Sequence, residues 1–152
     1  MSFYSTIGRL VAVTSCKGGV GKSTVSLELA FSLAARGHRV GIFDADVYGP
    51  SLPSQLPGLL SEGEVALGNG GWSVIPLEQA GVKLMSFGWF ARLWSRDVRE
   101  GGELRDSFPG RLATKLCHTT AWGELDFLII DSPPGTGGVA HAIAADVRPA
   151  RT

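Results

Sequence analysis

Leu10-Val11-Ala12-Val13-Thr14-Ser15-Cys16-Lys17-Gly18-Gly19-Val20-Gly21-Lys22-Ser23-Thr24 runs from a short apolar segment straight into a glycine-rich turn. The apolar segment reads as a buried strand. The stretch from Lys22 to Arg36 contains no Gly or Pro, carries apolar residues on most of its faces and is stopped by Gly37, so it reads as a well-covered helix. Val40-Gly41-Ile42-Phe43 is a second continuous apolar run. Strand, helix and strand within this length make a right-handed βαβ unit whose strands are parallel. The expected fold class is α/β, a parallel sheet flanked by helices.

The turn itself has a chemistry. Consecutive glycines let backbone N–H groups face an anion with no Cβ in the way, and the N-terminus of the helix that follows adds its own N–H groups and dipole. The spacing approaches the G-x-x-x-x-G-K-[ST] phosphate loop, with Cys16 at the place of the first glycine. Gly18, Gly19, Val20, Gly21, Lys22, Ser23 and Thr24 are therefore expected to cradle a nucleoside triphosphate, ATP with magnesium. Lys22 would reach the β and γ phosphates and Ser23 would ligate Mg²⁺. A metal held this way needs a carboxylate on its far side. Leu128-Ile129-Ile130-Asp131 is an apolar strand ending in such a group, and Asp44 and Asp46 follow another. Asp131 and Asp44 are candidate metal carboxylates; Asp46 is the candidate for orienting an attacking water, and turn capping is the alternative for both Asp44 and Asp46.

Composition narrows the remaining choices. The 152 residues hold 14 Lys+Arg and 14 Asp+Glu, so no global field favours nucleic acid or an anionic membrane. Neither is expected as a partner. Cys16 and Cys117 are the two cysteines, which is no disulfide framework and fits a reducing compartment. No apolar run approaches the roughly 20 residues that span a bilayer, and the first strand leaves little room for a leader. A single domain over residues 1–152, in the cytoplasm or an organelle, is the expectation. Residues 47–63, with Pro50, Pro53 and Pro57, read as a long loop rather than a helix. Short strands and a hairpin turn at Asn69-Gly70-Gly71 are expected between Glu64 and Gly88. Residues 89–111 read as a mixed-charge surface. A helix is expected from Ser107 or Pro109, with Leu112, Ala113, Leu116 and Cys117 on one face. Another short helix is expected after Val139 and before Pro149.

Three blocks carry a resemblance to a known family: Lys17 to Thr24, Asp44-Ala45-Asp46-Val47-Tyr48-Gly49-Pro50-Ser51, and Asp131-Ser132-Pro133-Pro134-Gly135-Thr136-Gly137. Together they resemble the Mrp branch of the MinD/ParA-like ATPases, whose fold is that of the nitrogenase iron protein. The resemblance implies a deviant Walker A loop whose second lysine is Lys17, reaching across a homodimer to act in catalysis. It also implies an ATP-dependent carrier or scaffold for iron–sulfur clusters that serves client apo-proteins. The chain departs from the pattern at Gly138, where the family has Asp, and at Trp94 to Asp97. It resembles a truncated member, lacking the C-terminal strands and the Cys-x-x-Cys that bridges a cluster. Two other functions stay open: a nucleotide-binding module without turnover, and a partition or positioning ATPase of the MinD/ParA type.

Overall fold

The computed structural model describes residues 6–59, 66–68, 73–90, 109–135 and 138–145. In chain order these form β1 (Ile7–Val13), α1 (Lys22–Ala35), β2 (Val40–Asp44), α2 (Leu52–Gln55), β3 (Ala66–Gly68), β4 (Ser73–Ile75), β5 (Leu77–Gln79), β6 (Val82–Ser86), α3 (Pro109–Thr119), β7 (Leu125–Asp131) and α4 (Gly138–Ala145). The expected turn at Asn69-Gly70-Gly71, the segment Trp94 to Asp97, the helix start at Ser107, Thr136-Gly137 and residues 146–152 lie outside the described residues.

Five strands make one sheet in the order β1-β7-β2-β6-β5, and β3 pairs with β4 in a separate antiparallel ribbon. The first four strands are parallel, as the βαβ reading requires, while β5 runs antiparallel to β6. Only Ala80 and Gly81, both with positive φ, separate β5 from β6. So tight a turn can join only antiparallel neighbours. β1 and β2 are not adjacent, because β7, from the far end of the chain, inserts between them.

Burial follows strand position. β2 is buried at all five residues and β7 nearly throughout, with Ile42, Phe43, Leu128, Ile129 and Ile130 wholly inaccessible. β1 departs from the buried strand expected of it: paired along one edge only among the described residues, it is half-buried, with Gly8, Arg9 and Ala12 exposed. Coverage of α1 is also narrower than its apolar residues imply. It buries Ser26, Leu27 and Ala30 on the face toward the sheet, while Val25 stays 57% exposed. Within residues 47–63 the loop expectation gives way to the short helix α2. Ser51 carbonyl accepts from the Ser54 and Gln55 N–H groups, and Pro53 fits because a first-turn residue needs no N–H. Ala113, Leu116 and Cys117 of α3 are buried on one face, and burial pushes the Cys117 thiol well above its ordinary pKa.

The parallel strands end in one row. Val13, Asp131, Asp44 and Ser86 are register partners across β1, β7, β2 and β6, so the loops leaving these strands emerge side by side. Ligand sites of open α/β sheets form at such carboxyl ends.

Gly41 in β2 tests the packing beneath this row. A Cβ there would sit 2.8 Å from Leu125 Cδ1 and 2.9 Å from Trp122 Cε3. Trp122 cannot swing aside easily, because its indole N–H donates to the Cys117 carbonyl at 2.9 Å and its ring meets Phe43 edge-on. Gly41→Ala is expected to cost about 1–3 kcal/mol of stability through overpacking. Urea unfolding measures it, and an unchanged midpoint would refute the packing described.

Candidate phosphate-binding site

The loop between β1 and α1 requires its glycines for backbone reasons. Gly19 and Gly21 have φ of +72° and +90°, and a Cβ at either would meet nothing within 4 Å. Conformation, not space, therefore excludes larger residues. Gly21 is the N-cap of α1 and supplies no side-chain cap, and no acidic residue stands in the first turn. The leading N–H groups and the positive end of the helix dipole are left for an external anion. The loop is pinned from below: Gly135 N–H donates to the Ser15 carbonyl at 3.0 Å, and Ser15 Oγ donates to the Lys17 carbonyl at 2.7 Å.

Lys22 and Asp131 meet where the three loops converge. Lys22 Nζ is 2.7 Å from Asp131 Oδ1, with the side chains 11% and 1% exposed. Ser26 Oγ lies 2.9 Å from the Lys22 carbonyl and 3.3 Å from the same carboxylate oxygen. The other oxygen, Oδ2, faces Ser51 Oγ at 3.3 Å, and Ser51 Oγ is 2.6 Å from Ser23 Oγ. Ser23 and Asp131, named from sequence, thus share a single hydroxyl partner. Oxygen-only donors of this kind suit Mg²⁺, a hard cation. Ser26 and Ser51 were not singled out by sequence as site residues. A signal for Ser26 existed in its i+4 spacing from Lys22, whereas Ser51 is brought in by the fold of the loop.

A cavity of about 230 Å³ opens above this cluster, lined by Lys17, Gly18, Gly19, Gly21, Lys22, Ser23 and Thr24 from one side and by Asp46, Gly49, Ser51 and Gln55 from the other. Val20 is part of the loop but not of that lining, and its side chain is 60% exposed. Asp46 lines the cavity while its Oδ1 accepts from Gly49 N–H at 3.0 Å, so it caps a turn at the same time. Asp44 lies underneath. Wholly buried, its carboxylate accepts from the N–H groups of Ser51, Leu52 and Asp46 and from Ser86 Oγ, at 2.9–3.2 Å. This arrangement does not support a direct metal ligand at Asp44. Burial pushes its pKa up to about 6, against the opposing pull of those donors. Cys16 is exposed on the loop, and among the described residues no cluster of three or more His, Cys, Asp or Glu could hold a metal ion.

A family model described as ParA, NUBPL iron-transfer P-loop NTPase, matches residues 6–152. The Fe-S cluster assembly factor HCF101, chloroplastic, of Arabidopsis thaliana is 48% identical over 136 residues, which are 89% of this chain and 24% of that protein. The iron-sulfur cluster carrier protein of Bacillus subtilis is 43% identical over 86% of this chain and 34% of its own length. The chain thus spans about a quarter to a third of these relatives. Among solved structures, a nucleotide-binding protein of Archaeoglobus fulgidus in complex with ADP superposes with a TM-score of 0.66 at 39% identity, over 95% of this chain and 52% of that one. No helix among the described residues is long and apolar enough to cross a membrane.

The burial of Asp44 predicts a pH dependence. Its folded pKa of about 6 lies above the ordinary 3.8, so folding favours the protonated form. Its contribution to stability is complete below about pH 4 and is lost as pH rises through 6, on the order of 3 kcal/mol in all. Asp44→Asn removes this component, so the stability difference between wild type and variant should change between pH 4 and 7. Chemical denaturation at intervals across that range checks it, and parallel pH curves for the two proteins would contradict it.

Proposed function

This chain belongs to the ParA family of NUBPL iron-transfer P-loop NTPases, and on that premise we propose that it binds Mg·ATP in the cavity above Lys22 and hydrolyses it slowly. The observation that carries the reading is the uncapped N-terminus of α1, opening into a cavity that Lys22 and Ser23 line, with Asp131 directly beneath. Backbone N–H groups of Gly18 to Lys22 would hold phosphate oxygens, and Thr24, in the same lining, would flank them. Lys22 would exchange Asp131 for the β and γ phosphates. Ser23 and Asp131 would hold the Mg²⁺, which supplies charge neutralisation on the phosphate oxygens when bound. Asp44, with its oxygens already engaged, would keep the loop after β2 in place. Asp46, on the cavity wall, would orient the attacking water.

Lys17 would act from a second copy of the chain. It is exposed at the rim, and Val20, Val25 and Tyr48 stand exposed on the same loops and first helical turn, which supports a homodimer formed over this face. The names of the relatives support iron–sulfur cluster assembly or transfer to client proteins as the purpose of the ATPase cycle. A cluster would be cargo of the assembled protein. One observation favours a second reading, nucleotide binding without turnover: Gly138 starts α4 with no carboxylate where the family resemblance has Asp.

Two measurements test these roles. Lys22→Ala should lose at least about 100-fold in ATP affinity by calorimetry, since a charge-assisted contact in a partly desolvated site disappears; affinity within a few-fold of wild type would remove the phosphate-loop reading. Thermal melting accompanies the titration, because the variant also leaves Asp131 without its cation. Phosphate release should rise per chain with protein concentration, and Lys17→Ala should lose turnover while keeping ATP affinity. Turnover that is flat with concentration and indifferent to Lys17 would exclude catalysis in trans, and no turnover at all would favour the second reading.

A further inference from the structure

Ser51 joins several elements of the site. Its Oγ lies 2.6 Å from Ser23 Oγ at the start of α1 and 3.3 Å from Asp131 Oδ2 at the end of β7. Its N–H donates to Asp44 Oδ2 at 2.9 Å, and its carbonyl accepts from the Ser54 and Gln55 N–H groups and from Ser54 Oγ. A hydroxyl has one proton and two lone pairs. Ser23 Oγ–H can donate to Ser51 Oγ while Ser51 Oγ–H donates to Asp131 Oδ2, which leaves one Ser51 lone pair free for a cation. Neighbouring oxygens on an octahedral Mg²⁺ with bonds of 2.0–2.1 Å stand roughly 2.9 Å apart. The two observed separations bracket that value.

We propose that Ser51 is a direct ligand of the nucleotide-bound Mg²⁺, beside Ser23. This assignment rests on the Mg·ATP reading of the cavity. It gives the metal a contact on the loop after β2 as well as on the phosphate loop. Because the Ser51 backbone also anchors α2 and is tied to Asp44, ligation fixes that loop, including Gln55 on the cavity wall, to the occupied site. The alternative role is a latch, a hydroxyl that only holds two loops together.

Calorimetric titration of ATP into wild type, Ser51→Ala, Ser51→Thr and Ser51→Cys, in Mg²⁺ and in EDTA, separates the two. Direct ligation predicts that Ser51→Ala loses about 10- to 100-fold of affinity in Mg²⁺ and none in EDTA. Ser51→Thr, which keeps the hydroxyl, retains the Mg²⁺ gain. Ser51→Cys binds weakly with Mg²⁺ and recovers with Cd²⁺, since a thiolate prefers the softer ion. Wild type in Cd²⁺ controls for the exposed Cys16 thiol. An equal loss in Mg²⁺ and EDTA, no loss in Ser51→Ala, or no recovery of Ser51→Cys in Cd²⁺ overturns the assignment while leaving the nucleotide site standing. A wild type with no ATP affinity overturns both.

Discussion

The ion pair between Lys22 and Asp131 is the contact on which the rest of the site depends. It joins the first residue of α1 to the last residue of β7, and it is almost out of reach of water. Removing two charges from solvent is costly, and such a pair holds only when its geometry is good and further donors satisfy the remaining oxygens. Ser26 and Ser51 are in place to do so. The pair therefore presupposes the register that sets Asp131 between Val13 and Asp44, and the glycine turn that delivers Lys22 above it. The lysine that a triphosphate would attract is balanced by the carboxylate that a metal would occupy.

From that pair the structure reads outward as a division of labour among carboxylates at the strand ends. Asp131 is held beneath the cavity by Lys22, Ser26 and Ser51. Asp44, one strand over, is wholly buried and organises backbone: its oxygens gather the N–H groups that turn β2 into α2 and the hydroxyl of Ser86 that ties in β6. Asp46 stands on the cavity wall and closes a turn onto Gly49. Three aspartates of similar sequence setting thus differ in burial and in the donors that surround them. At the opposite end of the sheet, Arg39 pairs with Glu124 and Asp126 and joins the starts of β2 and β7. These exposed ion pairs contribute register more than energy.

Much of this was legible in the sequence, for identifiable reasons. The phosphate loop was readable because Gly19 and Gly21 are demanded by backbone conformation and Lys22 by charge, which are local requirements. β2 and β7 were readable because fully buried parallel strands become continuous apolar runs. The position of β7 between β1 and β2 was not, since strand order is decided by contacts across most of the chain. For the same reason β1 was read as buried although, among the described residues, it stands at an edge. The short helix α2 was masked by three prolines, which signal a loop unless one falls in a first turn. Asp44 and Asp46 could not be separated by spacing alone, because what distinguishes them is depth. Ser51 closes the block that carries the resemblance but had no role of its own there, because a serine in a turn carries no signature until the fold brings Ser23 and Asp131 to it.

Hydrogen–deuterium exchange with and without Mg·ATP tests the central claim, that the loops leaving β1, β2 and β7 form one nucleotide site. Amides of residues 15–24, 44–55 and 131–135 should slow together when Mg·ATP is added, while the Arg39 end of the sheet is unchanged. Protection confined to one of these loops, or found only away from the strand ends, would contradict it.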